Sequence, residues 1–235
     1  MKKGKLYLIP SFLSESPYTK VFPADNIKII ESLDEFIVEE IRTARRFLRK
    51  IGFIKSYDEV EFHILNEHTE LSLVPEFLNN INIGKNIGLL SEAGTPCIAD
   101  PGAEIVKSAH YKKIEVVPLI GPSSILLALM ASGFNGQNFA FHGYLPIDKK
   151  ERIRTLRVLE QNVYKLNQTQ IFIETPYRNN QMLRSIIENC SKETLLCLAC
   201  NITAQYEKIN TKTIAEWKIS IPDLHKKPVV FLIFK

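Results

Sequence analysis

The run Asn86-Ile87-Gly88-Leu89-Leu90 leads without a break into Ser91-Glu92-Ala93-Gly94-Thr95-Pro96-Cys97-Ile98-Ala99-Asp100-Pro101-Gly102. A short, continuous apolar run of this kind marks a central parallel strand covered on both faces. In the loop, Gly94 and Gly102 permit close approach and unusual dihedrals, while Pro96 and Pro101 stiffen the chain without adding a donor. In open α/β sheets small molecules bind just outside the carboxyl ends of the strands, so this loop is the leading candidate for ligand contact.

The same arrangement recurs twice. Ile114-Glu115-Val116-Val117-Pro118-Leu119-Ile120 ends at Gly121-Pro122-Ser123-Ser124, followed by a helix-like apolar run over 125–131 with a stop at Gly133. Ser123 or Ser124 can cap that helix and offer polar groups to a ligand. Thr169-Gln170-Ile171-Phe172-Ile173 then breaks at Glu174-Thr175-Pro176-Tyr177-Arg178. Strand-like and helix-like segments alternate along the whole chain, which predicts an α/β fold. Its 235 residues, 45% of them hydrophobic, can bury two cores of ordinary size. We place an N-terminal α/β domain at 1–120, with strands near Lys5, Glu35 and Ile87, and a C-terminal one at 121–235. The latter has strands near Asn138, Thr169, Thr194 and Pro228 and a helix near Asn179.

These loops resemble those of the tetrapyrrole methylase superfamily of S-adenosylmethionine-dependent methyltransferases, and within it the ribosomal RNA small-subunit methyltransferase I group. The matching stretches are residues 91–102, 120–124, Phe141-His142-Gly143-Tyr144-Leu145-Pro146 and Glu174-Thr175-Pro176-Tyr177-Arg178, with Lys5-Leu6-Tyr7-Leu8-Ile9-Pro10, Asn66-Glu67-His68-Thr69-Glu70 and Ser132-Gly133 beside them. The resemblance implies two α/β domains with the cofactor in the cleft between them, a homodimer, and methyl transfer from S-adenosylmethionine to a ribose 2′-oxygen of small-subunit ribosomal RNA, free or in the assembled subunit. It also implies a cofactor site made of Leu13, Glu92, Gly94, Thr95, Pro96, Ile98, Gly121, Ser123, Ser124, Ile173, Glu174 and Pro228. Departures fall where the group's acceptor chemistry is expected. Ser11-Phe12-Leu13-Ser14-Glu15 stands for Thr-Pro-Ile-Gly-Asn, Glu39-Glu40-Ile41-Arg42 for Glu-Asp-Thr-Arg, and Cys200-Asn201-Ile202-Thr203-Ala204 for Arg-Glu-Leu-Thr-Lys.

A ribose hydroxyl is a very weak acid, so its methylation calls for a base or strong polarisation. Glu39, Glu40 and Arg42 are the candidates. The sulfonium loses its charge during transfer, so a carboxylate near it favours the ground state and belongs off the reaction axis. Glu92 and Glu174 are therefore read as cofactor orienters. Arg42, Arg45, Arg46 and Arg49 recur at i, i+3, i+4 and i+7 beside an apolar face of Ile41, Ala44, Leu48 and Ile51, closed by Gly52. Such a cationic stripe suits RNA phosphates, and Lys149, Lys150, Arg152, Arg154 and Arg157 offer a second cluster, of which the first three are the candidates for RNA contact.

Two further readings stay open: methylation of a tetrapyrrole or another small heterocycle, and a non-catalytic module that binds S-adenosylmethionine without turnover. A dinucleotide fold lacks its Gly-x-Gly-x-x-Gly, and no phosphate loop is present. The start Met-Lys-Lys-Gly-Lys has no secretory stretch behind it, and no apolar run nears the ~20 residues of a membrane span, so a soluble, cytoplasmic protein without a membrane partner is expected. Cys197-Leu198-Ala199-Cys200 has the spacing of a redox or zinc pair but no second pair, and its strand-like neighbours place it in the core. His63, His68, His110, His142 and His225 show no ligand spacing, and no metal is expected.

Overall fold

In the computed structural model, which describes residues 3–15, 17–70 and 72–235, the chain divides into two units, Met1–Ser123 and Ser124–Lys235. The first runs through β1 (Lys5–Ile9), α1 (Ala24–Glu31), β2 (Glu35–Val38), α2 (Ile41–Lys50), β3 (Glu61–Ile64), a 3-10 segment (Glu76–Ile83), β4 (Ile87–Leu90), α3 (Gly102–Tyr111) and β5 (Glu115–Pro118). Its sheet is parallel at every pairing, in the order β3-β2-β4-β1-β5.

The inner strands β2 and β4 are buried at every position, as a sheet covered on both faces requires. Strand alternation divides their side chains between two cores. Phe36 and Val38 pack with Ile30, Phe47 and Leu48. Ile37, between them, packs instead with Leu78, Ile81, Ile105 and Ala109. Each large apolar side chain removed from water contributes about 1.5–3 kcal/mol, so both layers hold the sheet. Because the strands run one way, the stretches beginning at Pro10, Glu39, Leu65, Ser91 and Leu119 all leave by one edge. Five of the stretches singled out from sequence thereby come to the same rim.

The second unit runs through α4 (Ser124–Ser132), β6 (Phe139–Tyr144), α5 (Lys149–Leu166), β7 (Thr169–Ile173), α6 (Asn179–Asn189), β8 (Leu195–Cys200), β9 (Lys208–Thr213), α7 (Ile214–Ile219) and β10 (Val229–Phe234). Its sheet is mixed, in the order β6-β7-β10-β8-β9, with only β6 and β7 parallel. Phe172 and Phe231 stack at its centre, ring centroids 5.6 Å apart. Leu156, Leu159 and Val163 of α5 and Met182, Leu183 and Ile186 of α6 cover them. Cys197 and Cys200 are buried on β8 as free thiols; three residues apart on a strand, they point to opposite faces.

Candidate active site and cation groove

The loop 91–102 is held from within and from its neighbours. Asp100 Oδ1 accepts from the backbone N–H of Cys97 and of Gly102, both at 2.8 Å. That clamp sustains two non-glycine residues in the left-handed region, Cys97 at φ 67° and Ala99 at φ 61°. Such residues cost on the order of 1–3 kcal/mol each, and two hydrogen bonds to a carboxylate are of the size needed to offset them. The Gly94 carbonyl accepts from Ser11 N at 2.8 Å, tying the loop to the exit of β1. Gly94 itself has φ 72°, and a Cβ there would lie 3.0 Å from Leu13 Cδ2 and 3.2 Å from the Pro122 carbonyl. At Gly121 a Cβ would stand 2.2 Å from Pro10 Cγ, so only glycine lets these two exits meet. Leu13, Gly94 and Gly121 are thus brought together. Thr95, Pro96 and Ile98 follow in the same loop, with Ile98 exposed; Ser123 closes the first unit and Ser124 opens α4.

Glu92 turns toward α2, where its carboxylate accepts from Thr43 Oγ1, while its own backbone N–H donates to Glu39. Partial burial pushes the Glu39 carboxyl up to about 7, and the charges of Asp100 and Glu92 push the same way against that one hydrogen bond. A carboxyl that titrates near neutrality in a loop-lined recess fits a proton-transfer role. Glu39, Glu40 and Arg42 share one groove of ≈ 770 Å³ with Arg45, Arg46, Arg49, Ile64 and Asn66. Arg45 lies over the rings of Tyr57 and Phe62, at 5.3 and 5.6 Å, which braces its guanidinium. Among the described residues none of the four arginines is ion-paired, so the groove carries an excess of positive charge beside two carboxylates, Glu39 and Glu40.

In the second unit Glu174 is buried and its Oε1 gathers three donors: Thr175 N at 2.6 Å, Arg178 Nε at 3.0 Å and Arg178 Nη2 at 2.6 Å. It braces the loop after β7. Ile173 pairs with Val230 on the facing strand, and the Pro228 carbonyl accepts from Asn201 N at 2.9 Å, so Ile173, Glu174 and Pro228 lie at one edge of this sheet. Of the second basic cluster, Lys149 and Lys150 are exposed at the start of α5, but Arg152 is not. Its side chain is buried, donating to Ser185 Oγ at 3.1 Å and to the carbonyl of Ile147 at 2.7 Å. The expectation that Arg152 contacts RNA is corrected on that ground. Its spacing to Leu156, Leu159 and Val163 places it on the apolar stripe of α5, a signal present in the sequence.

The fit to a sulfonium-bearing nucleoside can be tested on the donor set. A cation next to an adenosine needs close backbone approach and negative potential; residues 91–102 supply the first through Gly94 and the second through Glu92 and Asp100, to which Glu39 at the exit of β2 adds. The residues present fit that group. A family model described as tetrapyrrole (corrin/porphyrin) methylases matches residues 26–218. The ribosomal RNA small subunit methyltransferase I of Buchnera aphidicola subsp. Schizaphis graminum is 30% identical, over 99% of this chain and 78% of that protein. The protein of the same name from Bacillus subtilis is 33% identical, over 91% of this chain and 68% of its own length. Among solved structures the methyltransferase CobJ superposes with a TM-score of 0.66 at 14% identity, covering 99% of this chain and 94% of its own. Cobalt precorrin-4 methyltransferase CbiF gives 0.61, also at 14%, over 98% and 94%. At that identity these two structures establish the shared two-domain α/β fold.

Proposed function

The chain belongs to the tetrapyrrole (corrin/porphyrin) methylase family, and from that premise we propose that this methyltransferase uses S-adenosylmethionine to methylate a ribose 2′-oxygen of small-subunit ribosomal RNA. The observation that carries this reading is the groove that joins Glu39 to four arginines without acidic partners. Small heterocycles present few phosphates; a polynucleotide presents one per residue, spaced along the path that a helical stripe of arginines can follow. The names of the relatives support the same acceptor class.

Leu13, Gly94, Thr95, Pro96, Ile98, Gly121 and Ser123 of the first unit would hold the cofactor. When bound, S-adenosylmethionine supplies an electrophilic methyl group on a charged sulfur. Arg42, Arg46 and Arg49 bind phosphates and set the register of the strand in the groove, which Ile64 and Asn66 also line. Glu39 accepts the 2′-hydroxyl proton at its carboxylate, and a pKa of about 7 keeps a working fraction ionised at neutral pH. Arg42 polarises the acceptor oxygen. Glu92, engaged with Thr43, is kept from aiming its charge along the transfer axis. The rest of the rate enhancement comes from alignment and exclusion of water.

The reading includes a homodimer, for which sedimentation is the direct check, and action away from a bilayer; no helix among the described residues is long and apolar enough to cross a membrane. The deciding experiment is a calorimetric titration with S-adenosylhomocysteine, with ATP and NAD as controls, followed by transfer of tritiated methyl to small subunits from a strain lacking the protein. One saturable site that Gly94→Trp abolishes, and label that enters the RNA, are expected. Absence of the first removes the cofactor assignment; absence of the second, in free RNA and in subunits alike, removes the acceptor.

A further inference from the structure

At the edge of the first sheet opposite the groove, three potential ligands converge. Glu35 opens β2 and Glu61 opens β3, and the parallel register pairs them directly; His63 follows two residues after Glu61, on the same face of β3. Glu35 Oε1 lies 2.7 Å from His63 Nε2, and Glu61 Oε1 lies 3.7 Å from the same nitrogen. All three ligand atoms fall within 4.8 Å of one another. Glu35 is 2% exposed, yet among the described residues no lysine or arginine lies within ion-pair reach of it. A buried carboxylate without a formal cation is expensive to retain.

The surroundings orient each ligand. Asn80 donates to Glu35 Oε2 at 3.0 Å, which leaves Oε1 turned toward the imidazole. Phe77 stacks on the His63 ring at 5.1 Å and 18°, fixing its plane. Outer contacts of this kind organise a metal site before the ion arrives. Glu61 remains exposed and opens the cluster to solvent.

We propose that Glu35, His63 and Glu61 form a binding site for a divalent transition ion, Zn²⁺ foremost, held by one imidazole nitrogen and two carboxylate oxygens with a fourth position open to water. Tetrahedral Zn²⁺ with bonds of about 2.0–2.2 Å places its ligand atoms roughly 3.4 Å apart, and the separations of 2.7 and 3.7 Å bracket that value. On binding, the ion takes the place of the 2.7 Å contact between His63 Nε2 and Glu35 Oε1, any hydrogen on that nitrogen leaving to water, and both atoms become ligands. It also bridges β2 to β3, the outermost strand of the sheet, whose far end carries Ile64 into the groove.

The test is a titration of the metal-free, full-length protein with ZnCl₂, with MgCl₂ alongside, read by calorimetry and by the thermal midpoint. One saturable Zn²⁺ site is expected, with Mg²⁺ far weaker because it prefers all-oxygen, octahedral surroundings. His63→Gln keeps a donor for Glu35 and loses the site. Glu61→Gln changes an exposed residue, keeps the unliganded midpoint, and weakens binding by more than the ~10-fold that an outer-shell partner is worth. No saturable binding by the unmodified protein overturns the proposal. Affinity unchanged in either variant overturns it as well, by locating the ion elsewhere.

Discussion

Glu39 and Arg152 show how far burial alone can redirect a charged side chain. In the unfolded chain Glu39 titrates near 4.5; in the fold its carboxyl is held up to about 7 by partial burial, then by Asp100 and Glu92. The folded state therefore binds the Glu39 proton more tightly. The resulting stabilisation is full below the unfolded value and is lost as pH rises through about 7. Glu39→Gln should melt with the unmodified protein at about pH 4 and above it at about pH 8, by on the order of 1 kcal/mol once solvent screening of this half-exposed group is allowed for. Methyl transfer should fall in the same variant at every pH, which separates the proton acceptor from a stability effect. For Arg152 the expectation is the reverse of that for a surface cation. Arg152→Ala removes donors from Ser185 and from the Pro146 and Ile147 carbonyls and empties core volume, so it should cost about 2–4 kcal/mol in urea unfolding while leaving RNA affinity per folded molecule unchanged.

Among elements, α2 is the one whose sequence specifies both its shape and its use. Ala44, Phe47 and Leu48 face the core, the arginines face out, and Gly52 at φ 84° follows its end. Replacing Arg42, Arg46 and Arg49 together by glutamine should leave the unfolding midpoint in place. It should also lower the slope of log affinity against log salt by ~2, the release expected from three single-strand phosphate contacts. A slope that does not change would take RNA off this helix. The edge strands were harder to read. Glu-Phe-His-Ile of β3 and Lys-Ile-Asn-Thr-Lys-Thr of β9 are half-solvated, so neither has the apolar run that exposed β2, β4 and β7 in the sequence. The Glu35, Glu61 and His63 cluster has no signature in the sequence for the same reason: it exists only once β3 is paired with β2.

For the molecule as a whole, each unit owns its core: Phe172, Phe231, Leu156 and Met182 in the second, and two layers about the parallel sheet in the first. A fragment covering residues 124–235 should therefore unfold cooperatively in urea, with a slope of about 1–3 kcal/mol per molar, and a featureless transition would show that this unit needs the first. The α/β class, the inner strands with the loops that follow them, and the arginine stripe were determined by the sequence itself, because apolar runs, glycine and proline positions and helical spacing act over a few neighbouring residues. The antiparallel course of β8 and β10, the inward turn of Arg152, the near-neutral titration of Glu39 and the meeting of Glu35 with His63 were decided by tertiary structure. Each depends on desolvation or pairing between segments far apart in the chain, and that proximity has no local signature.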